Sequence, residues 1–263
     1  MVYFNKYMFG LLLLCFLPIL GAVFTLYFKV NFLTSIIFFF IIPSLWLTIR
    51  IGKKSIRALS FSIICGFFAT LIIDPIASYS HVWNVKSIFS FKILEVSPEQ
   101  FIWGVFFIYL IVSFYEFFFP KKSRHFLDNK MIFLGLIFLI AFVLTRFIKF
   151  SFPSSLDNYY LYMSTGIIIF ILPILIMLIK FPKMKNSLLK TAVYFLFLSS
   201  LYEFVALKLG LWSFPGTSSV YINGFYIAEK FLPIEEILYF TILGSSAVLS
   251  YYLLFNMETD LLV

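Results

Sequence analysis

Two segments of this 263-residue chain place a carboxyl group nine residues before a tryptophan. The first segment has Asp74 before Trp83, and the second has Glu203 before Trp212, 129 residues further along. Both segments border strongly apolar stretches. A carboxyl group at such a place is costly unless it is paired or used, and a buried carboxyl can donate or accept a proton. The repetition therefore predicts one composite site for proton chemistry, built by two halves of the chain.

A glutamate opens the apolar stretch that follows each tryptophan. The segment VSPEQFIW contains Glu99 followed by Gln100, and LPIEEILYF contains Glu235 and Glu236. A proline followed by acids is also an ordinary helix start, so a purely structural role stays open. Only the second half keeps two adjacent carboxyl groups, and it is the favoured source of a proton.

Aromatic side chains accompany these glutamates at helical spacing. Residues four apart lie on one face of a helix. Three such pairs occur, namely Glu99 with Trp103, Glu235 with Tyr239, and Glu236 with Phe240. Each pair can place an aromatic face beside a proton donor, where the ring would stabilise a passing cation. Trp83 and Trp212 are candidates for the same role, although tryptophan also anchors proteins at membrane interfaces, and the acids before them could simply hydrogen-bond to the indoles.

The elements that must position these residues are membrane-spanning helices. The chain is 62% hydrophobic and 12% charged, whereas about a quarter of the residues in soluble domains are charged. Apolar runs of roughly 20 residues can cross a bilayer as helices, and the alternation typical of a membrane β-barrel is missing. Eight spans are predicted, at 8–28, 31–49, 57–76, 98–119, 131–150, 159–180, 188–209 and 233–255. We therefore expect an all-α membrane protein.

The net charge of +8 reflects membrane orientation rather than nucleic-acid binding, because the basic residues are spread over the loops. With eight helices, 13 of the 20 Lys and Arg residues fall on the side of the N-terminus. Loops rich in basic residues face the cytoplasm. Both termini are therefore predicted to be cytoplasmic, with the two tryptophan loops on the opposite side. The sequence leaves a homo-oligomer open.

Landmarks beyond the acids indicate an internal repeat. Pro43 and Arg50 recur as Pro173 and Lys180, 130 residues later. Each half holds four predicted helices, and an even number gives both halves the same orientation, related by a pseudo-two-fold axis along the membrane normal. The predicted organisation is two parallel four-helix repeats, covering residues 1–125 and 126–263.

The sequence contains no motif for a cofactor or a metal. No G-x-G-x-x-G follows a strand, so no flavin or nicotinamide site is predicted. The paired Asp-rich motifs that bind a magnesium diphosphate in membrane prenyltransferases are missing, since Asp74 is followed by Pro75 and Ser78. Cys15 and Cys65 lie inside predicted helices and are interpreted as packing residues. We expect chemistry that needs neither a cofactor nor a metal.

The segments LPIEEILYF, ALKLGLWSF and DPIASYSHVW together resemble the integral-membrane lycopene cyclase family of bacteria and archaea, which occurs as two small subunits or their fusion. The resemblance covers nearly all of residues 31–256. Each half of that family carries an acid, a G-x-W-like segment and a Pro-x-Glu-Glu helix start. The second half of this chain fits that pattern closely, whereas the first half has SPEQ and HVW at the corresponding places.

The resemblance implies a redox-neutral cyclisation of the ψ end group of lycopene or a similar linear carotenoid. A carboxylic acid would protonate the terminal double bond, the C5=C6 bond would attack the resulting cation, and proton loss would leave an ionone-type ring. Glu235 is the proton donor that we expect. The supporting acids or the base would be Glu236, Glu99, Asp74 and Glu203, and the substrate-binding aromatics would be Trp83, Trp103, Trp212, Tyr239 and Phe240.

The resemblance also implies a bacterial or archaeal cell membrane as the location and the lipid bilayer as the surroundings of the substrate. The alternatives are a carotenoid hydratase, another membrane enzyme acting on prenyl chains, and a non-enzymatic transporter, since parallel repeats are also a transporter design. The ring type, a C40 or C50 substrate, and cyclisation at one or both ends stay open.

Overall fold

The eight predicted membrane helices are all present in the computed structural model, which describes residues 2–119, 129–151, 161–215 and 221–256. Each is long and apolar enough to cross a membrane. Labelled α1 to α8 in chain order, they run Lys6–Phe28, Phe32–Ile51, Lys54–Tyr79, Pro98–Phe118, Ile132–Ser151, Met163–Lys180, Pro182–Leu209 and Ile234–Phe255. The prediction of an all-α membrane protein is confirmed, and the described residues add only two short two-stranded sheets.

Helices α4 and α8 form the centre of the bundle. In its most apolar stretch α4 has 72% of its residues buried and α8 has 61%, whereas α5 has 6%. Helix α4 packs against α2, α3, α7 and α8. A helix that is apolar on all sides is the kind that belongs in a core. The SPEQ and PIEE segments that start these two helices therefore carry their polar residues into the interior.

Two glycines let α3 and α4 cross closely. A Cβ atom on Gly66 would lie 2.7 Å from the backbone of Val105, and one on Gly104 would lie 2.4 Å from Thr70 Oγ1. Neither glycine can carry a side chain unless the helices move apart. This crossing holds Asp74, near the end of α3, close to the start of α4.

Three stretches of π-helix widen α2, α6 and α8. They cover Ile37–Ile41, Ile167–Ile171 and Ile237–Leu243. In the first two, the residue before Pro43 or Pro173 donates its N–H to the carbonyl five residues back. The wider turn accommodates a proline, which has no N–H to donate. The third stretch contains no proline and follows directly after the PIEE segment.

The opening helix of each predicted repeat packs against the third helix of the other repeat. Helix α1 packs on α7, and α5 packs on α3. The predicted repeats therefore interlock rather than stand side by side. The predicted boundary between residues 125 and 126 lies outside the described residues, and the division into two repeats stays a prediction.

The two tryptophan loops pair with each other at one end of the bundle. Strand β1 (Asn84–Val85) runs antiparallel to β2 (Trp212–Ser213), with Asn84 opposite Ser213. These two residues are 129 positions apart, the same interval that separates the two tryptophans. A local two-fold axis would pair equivalent residues in this way. A hairpin of β3 (Gly224–Ile227) and β4 (Lys230–Pro233) then leads into α8.

At the other end of the bundle, Glu116 of α4 joins α3 and α8. Lys54 Nζ donates to one carboxylate oxygen at 2.9 Å, and the Tyr252 hydroxyl donates to the other at 2.6 Å. Both oxygens of a buried carboxylate are thus hydrogen-bonded, as a stable buried charge requires. The contact fastens three of the helices that surround the candidate site.

Candidate active site

A cavity of about 250 Å³ lies beneath the paired tryptophan loops, among α3, α4, α5, α6 and α8. Its wall is almost wholly apolar and rich in aromatic rings. Among the described residues that line it, the charged ones are Asp74 and Glu236, and none is Lys or Arg. An apolar chamber with a few polar groups suits an apolar ligand whose orientation those groups set.

Asp74 receives hydrogen bonds from two neutral N–H groups. Gln100 Nε2 donates to Asp74 Oδ2 at 2.9 Å, and the side chain of Trp83 donates to the same carboxylate. Only 8% of Asp74 is exposed. N–H donors stabilise the charged form of a carboxyl group, whereas burial disfavours that form, so the two effects oppose each other at Asp74.

The amide of Gln100 is oriented by the start of α4. Gln100 Oε1 accepts from the backbone N–H of Ser97 at 3.1 Å and from its hydroxyl at 2.9 Å. Ser97 and Gln100 form the capping box of α4. With its oxygen used at the cap, the amide of Gln100 presents its NH₂ group to Asp74.

Glu203 and Glu236 form the corresponding cluster in the second half. Trp212 Nε1 donates to Glu203 Oε1 at 2.8 Å, and only 2% of Glu203 is exposed. The other oxygen, Glu203 Oε2, has no hydrogen-bond partner among the described residues. Glu236 lies close enough to act on Glu203 electrostatically. Two neighbouring carboxyl groups repel each other when both are charged, which favours a proton shared between them.

The two clusters have the same parts in the same order. Each consists of an acid at the end of α3 or α7, the tryptophan nine residues later, and the third residue of the next helix-opening segment. That third residue is Gln100 beside Asp74, and it is Glu236 beside Glu203. The first half thus pairs a carboxylate with an amide, whereas the second half pairs two carboxyl groups.

Glu99 and Glu235 do not line the cavity. Glu99 accepts from the backbone N–H of Ile88 at 2.7 Å and from the Ser87 hydroxyl at 2.8 Å. Glu235 accepts from the backbone N–H of Ile222, and its Oε2 has no partner among the described residues. Both glutamates therefore fasten an extramembrane loop to the start of a helix. Glu235, the expected proton donor, therefore does not line the cavity, whereas its neighbour Glu236 does.

All five aromatic residues expected to bind substrate line the cavity: Trp83, Trp103, Trp212, Tyr239 and Phe240. The ring of Trp103 lies parallel to that of Phe107 with centroids 5.5 Å apart, and Phe240 lies 5.0 Å from Phe107. Tyr239 donates its hydroxyl to the Met163 carbonyl at 3.0 Å. These rings surround the chamber with π faces, which attract a cation.

Gly166 makes room for Tyr239. A Cβ atom on Gly166 would lie 2.1 Å from the Tyr239 ring, so a side chain there would displace the tyrosine. The sequence reasoning missed Gly166, and it also missed Phe107 and the bond from Gln100 to Asp74. A signal was present: Gln100, Trp103, Gly104 and Phe107 recur at the 3–4 residue spacing of one helix face, and all four line the cavity.

Among the described residues, no group of three or more His, Cys, Asp or Glu side chains could hold a metal ion. No protein-family model, curated protein or solved structure matches the chain.

Proposed function

We propose that this protein catalyses the acid-dependent, redox-neutral cyclisation of the ψ end group of lycopene or a related linear carotenoid. The observation that carries the proposal is the apolar, aromatic-walled cavity with Asp74 and Glu236 in its wall. A hydrocarbon fits such a chamber, and its isomerisation requires a proton donor, a proton acceptor and surfaces that stabilise a cation. The resemblance of PIEE and LGLW to the membrane lycopene cyclases supports the same reaction.

Glu236 replaces Glu235 as the proposed proton donor. Glu236 lines the chamber, whereas Glu235 bonds to the loop at Ile222. The proton held by the Glu203–Glu236 pair adds to the terminal double bond of the substrate, and the π electrons of that bond form the new C–H bond. The tertiary cation left behind is attacked by the C5=C6 π bond, which closes the ring and moves the charge to C5. Glu236 is left as a carboxylate.

The aromatic wall stabilises the charge while it moves. Trp103, Phe107 and Phe240 line the chamber, and cation–π attraction is strong where water is excluded. These rings are neutral and apolar before the reaction, so they favour the cation more than the starting hydrocarbon. Stabilisation that appears only with the cation lowers the barrier.

Asp74 is the proposed base. Its hydrogen bonds from Gln100 and Trp83 favour the carboxylate, which can take a proton from a carbon next to the cation. The electrons of the broken C–H bond then form the ring double bond. One proton enters the substrate and one leaves, so the reaction is an isomerisation. A proton must return from Asp74 to Glu236 before the next turnover.

The test is expression of the chain in a bacterial host that accumulates lycopene, with pigments identified by chromatography and mass. Ring formation leaves the mass unchanged, whereas a hydratase would add one water and a transporter would leave the pigment unaltered. Glu236→Gln is expected to lower conversion at least ~100-fold, the usual effect of losing a general acid.

Glu235→Gln is the matched control, because glutamine keeps an oxygen that can accept the N–H of Ile222. We expect it to convert lycopene at close to the wild-type rate, with equal amounts of inserted protein in both variants. Loss in Glu235→Gln with activity kept in Glu236→Gln would return the donor role to Glu235.

A further inference from the structure

Two peripheral helices, α5 and α6, form one side of the cavity. Phe138 of α5 and Ile169 and Phe170 of α6 line it. In the described residues, both helices pack on α8 but hardly on each other. Only 6% of the most apolar stretch of α5 and 17% of that of α6 is buried, so both helices lie at the periphery. The slot between them faces the bilayer.

Ion pairs near the end of α5 connect this helix to the loop before α4. Glu95, in the loop before α4, forms salt bridges with Lys149 and with Arg146, the latter at 3.3 Å. Arg146 also donates to the Leu94 carbonyl at 2.7 Å. These contacts connect the end of α5 to the loop that leads into α4. They hold a helix that has little buried surface of its own.

The chamber is too small for a whole carotenoid. Its volume of about 250 Å³ is below the roughly 300–1,000 Å³ of pockets that enclose a whole drug-sized ligand. A C40 chain is larger than such a ligand. Among the described residues, the lining contains no Lys or Arg that could bind a diphosphate. The site therefore fits the end of a hydrocarbon and leaves the remainder outside.

We infer that the slot between α5 and α6 is a lateral entrance from the bilayer, through which one end of a polyene enters while the rest of the chain stays among the lipids. This inference rests on the proposed function and adds how the substrate is recognised. The enzyme recognises the end group of the polyene and not the length of the polyene chain, because the remaining carbons never enter the protein. Each end of a symmetric polyene is a separate substrate.

The first arm of the test is a series of acyclic C30, C40 and C50 polyenes with the same ψ end, supplied to the wild-type protein in lipid nanodiscs. Initial rates are expected to agree within about threefold. A preference for one length of more than about tenfold, the scale on which an enclosing pocket reads chain length, would overturn the inference and leave the cyclase intact. If no polyene is converted, the proposed function fails, and the second arm decides on the entrance.

The second arm measures the C40 polyene retained by purified protein after washing with polyene-free detergent. Ile169→Trp places a bulky side chain in the slot, and it is expected to reduce retention at least ~10-fold. Ile168→Trp is the matched control, because Ile168 is 60% exposed and does not line the cavity. Equal retention by the two variants, whether high or low, would overturn the lateral entrance whatever the reaction.

Discussion

The open chamber beside α3 has a filled counterpart beside α7. Gly66 and Ile73 of α3 line the cavity. The residues 129 positions later, Phe195 and Tyr202 of α7, are 1% and 0% exposed and belong to the packed core. The α3 positions thus carry a glycine and an isoleucine, whereas the corresponding α7 positions carry large aromatic side chains. The smaller side chains leave a chamber beside α3, and the larger ones fill the space beside α7.

The same contrast holds for α6 and α2. Gly166 of α6 lines the chamber, whereas Ile36, 130 positions earlier in α2, is fully buried. Phe39 and Phe40 of α2 pack against Tyr202, with ring centroids 4.9 and 4.7 Å apart. At positions related by the predicted repeat, one space is therefore a cavity, and the other belongs to the hydrophobic core. The two halves of the predicted repeat need not both hold a cavity.

The difference also separates the acids. Asp74 faces the open chamber directly, and Glu203 reaches it only through Glu236. Tyr202, whose ring lies 5.1 Å from that of Trp212, belongs to the filled side where Glu203 is enclosed. Asp74, which accepts from N–H donors, and Glu236, which lies beside a second carboxyl group, thus line one chamber. These different surroundings suit the two acids to the opposite roles that we propose for them.

Exchanging the residues at positions 100 and 236 is expected to have the largest effect on this contrast. Glu236→Gln removes the second carboxyl of the pair and is expected to cost ~10² to 10⁴ in rate. Adding Gln100→Glu to that variant restores a two-carboxyl pair, now beside Asp74, and both positions line the cavity. We expect the double variant to regain at least ~10-fold, measured as initial rates on lycopene in nanodiscs.

A double variant as inactive as Glu236→Gln would mean that the pair works only in the second half. The Gln100→Glu single variant is the control for damage to the capping box. The glutamate side chain can still accept a hydrogen bond from Ser97. The helix content of the Gln100→Glu variant, measured by circular dichroism, is therefore expected to equal that of the wild type.

Phe40→Ala is expected to destabilise the protein by ~3–5 kcal/mol, because it empties space in the filled side. The equivalent change on the open side, Phe170→Ala, removes a ring that already borders the chamber and is expected to cost less than half as much. Reversible unfolding in mixed detergent micelles measures both. Equal losses of unfolding free energy in the two variants would show that the two sides are equally packed, and would contradict the contrast between an open and a filled side.

Ile73→Tyr gives the open side the residue type of the filled side. The added ring would occupy part of the chamber, and we expect conversion to fall about tenfold with little change in the unfolding midpoint. Ile63→Tyr is the matched control on the same helix, since Ile63 is 50% exposed. Comparable losses in both variants would point to disturbance of α3 rather than to a filled chamber.

Parts of this contrast could be predicted from the sequence, and parts could not. Lengths of apolar runs determined all eight helices, because a hydrocarbon core of fixed thickness demands them. The spacing of nine residues correctly indicated that Trp212 could bond to Glu203. The sequence could not decide between Glu235 and Glu236, because the spacing of four relates both to an aromatic residue and does not say which face of α8 lines the cavity. That face depends on how α8 packs against α4, α6 and α7, a tertiary property.

The last contrast lies between α5 and α1, the opening helices of the two halves. In its most apolar stretch α1 has 33% of its residues buried, against 6% for α5, which depends on the ion pairs of Glu95. Partial burial raises the pKa of Glu95, but the hydrogen bond and charge of Lys149, with Arg146, lower it more, so the pKa lies below its ordinary value. Because the native pKa is depressed, the ion pairs of Glu95 stabilise the folded protein fully above about pH 4.3, the pKa of an unfolded glutamate. This stabilisation is lost as the pH falls through the native pKa of Glu95.

Glu95→Gln is expected to remove that acid-side dependence while leaving the α1 contacts intact. The effect should stay below ~1 kcal/mol, since the Glu95 side chain is 50% exposed and solvent screens its ion pairs. Hydrogen exchange of α5 and α1 amides between pH 3 and pH 6 measures it, after correction for the intrinsic exchange rate. Faster opening of α5 alone at low pH is the expected result, and an equal change in both helices would show that Glu95 does not hold α5 specifically.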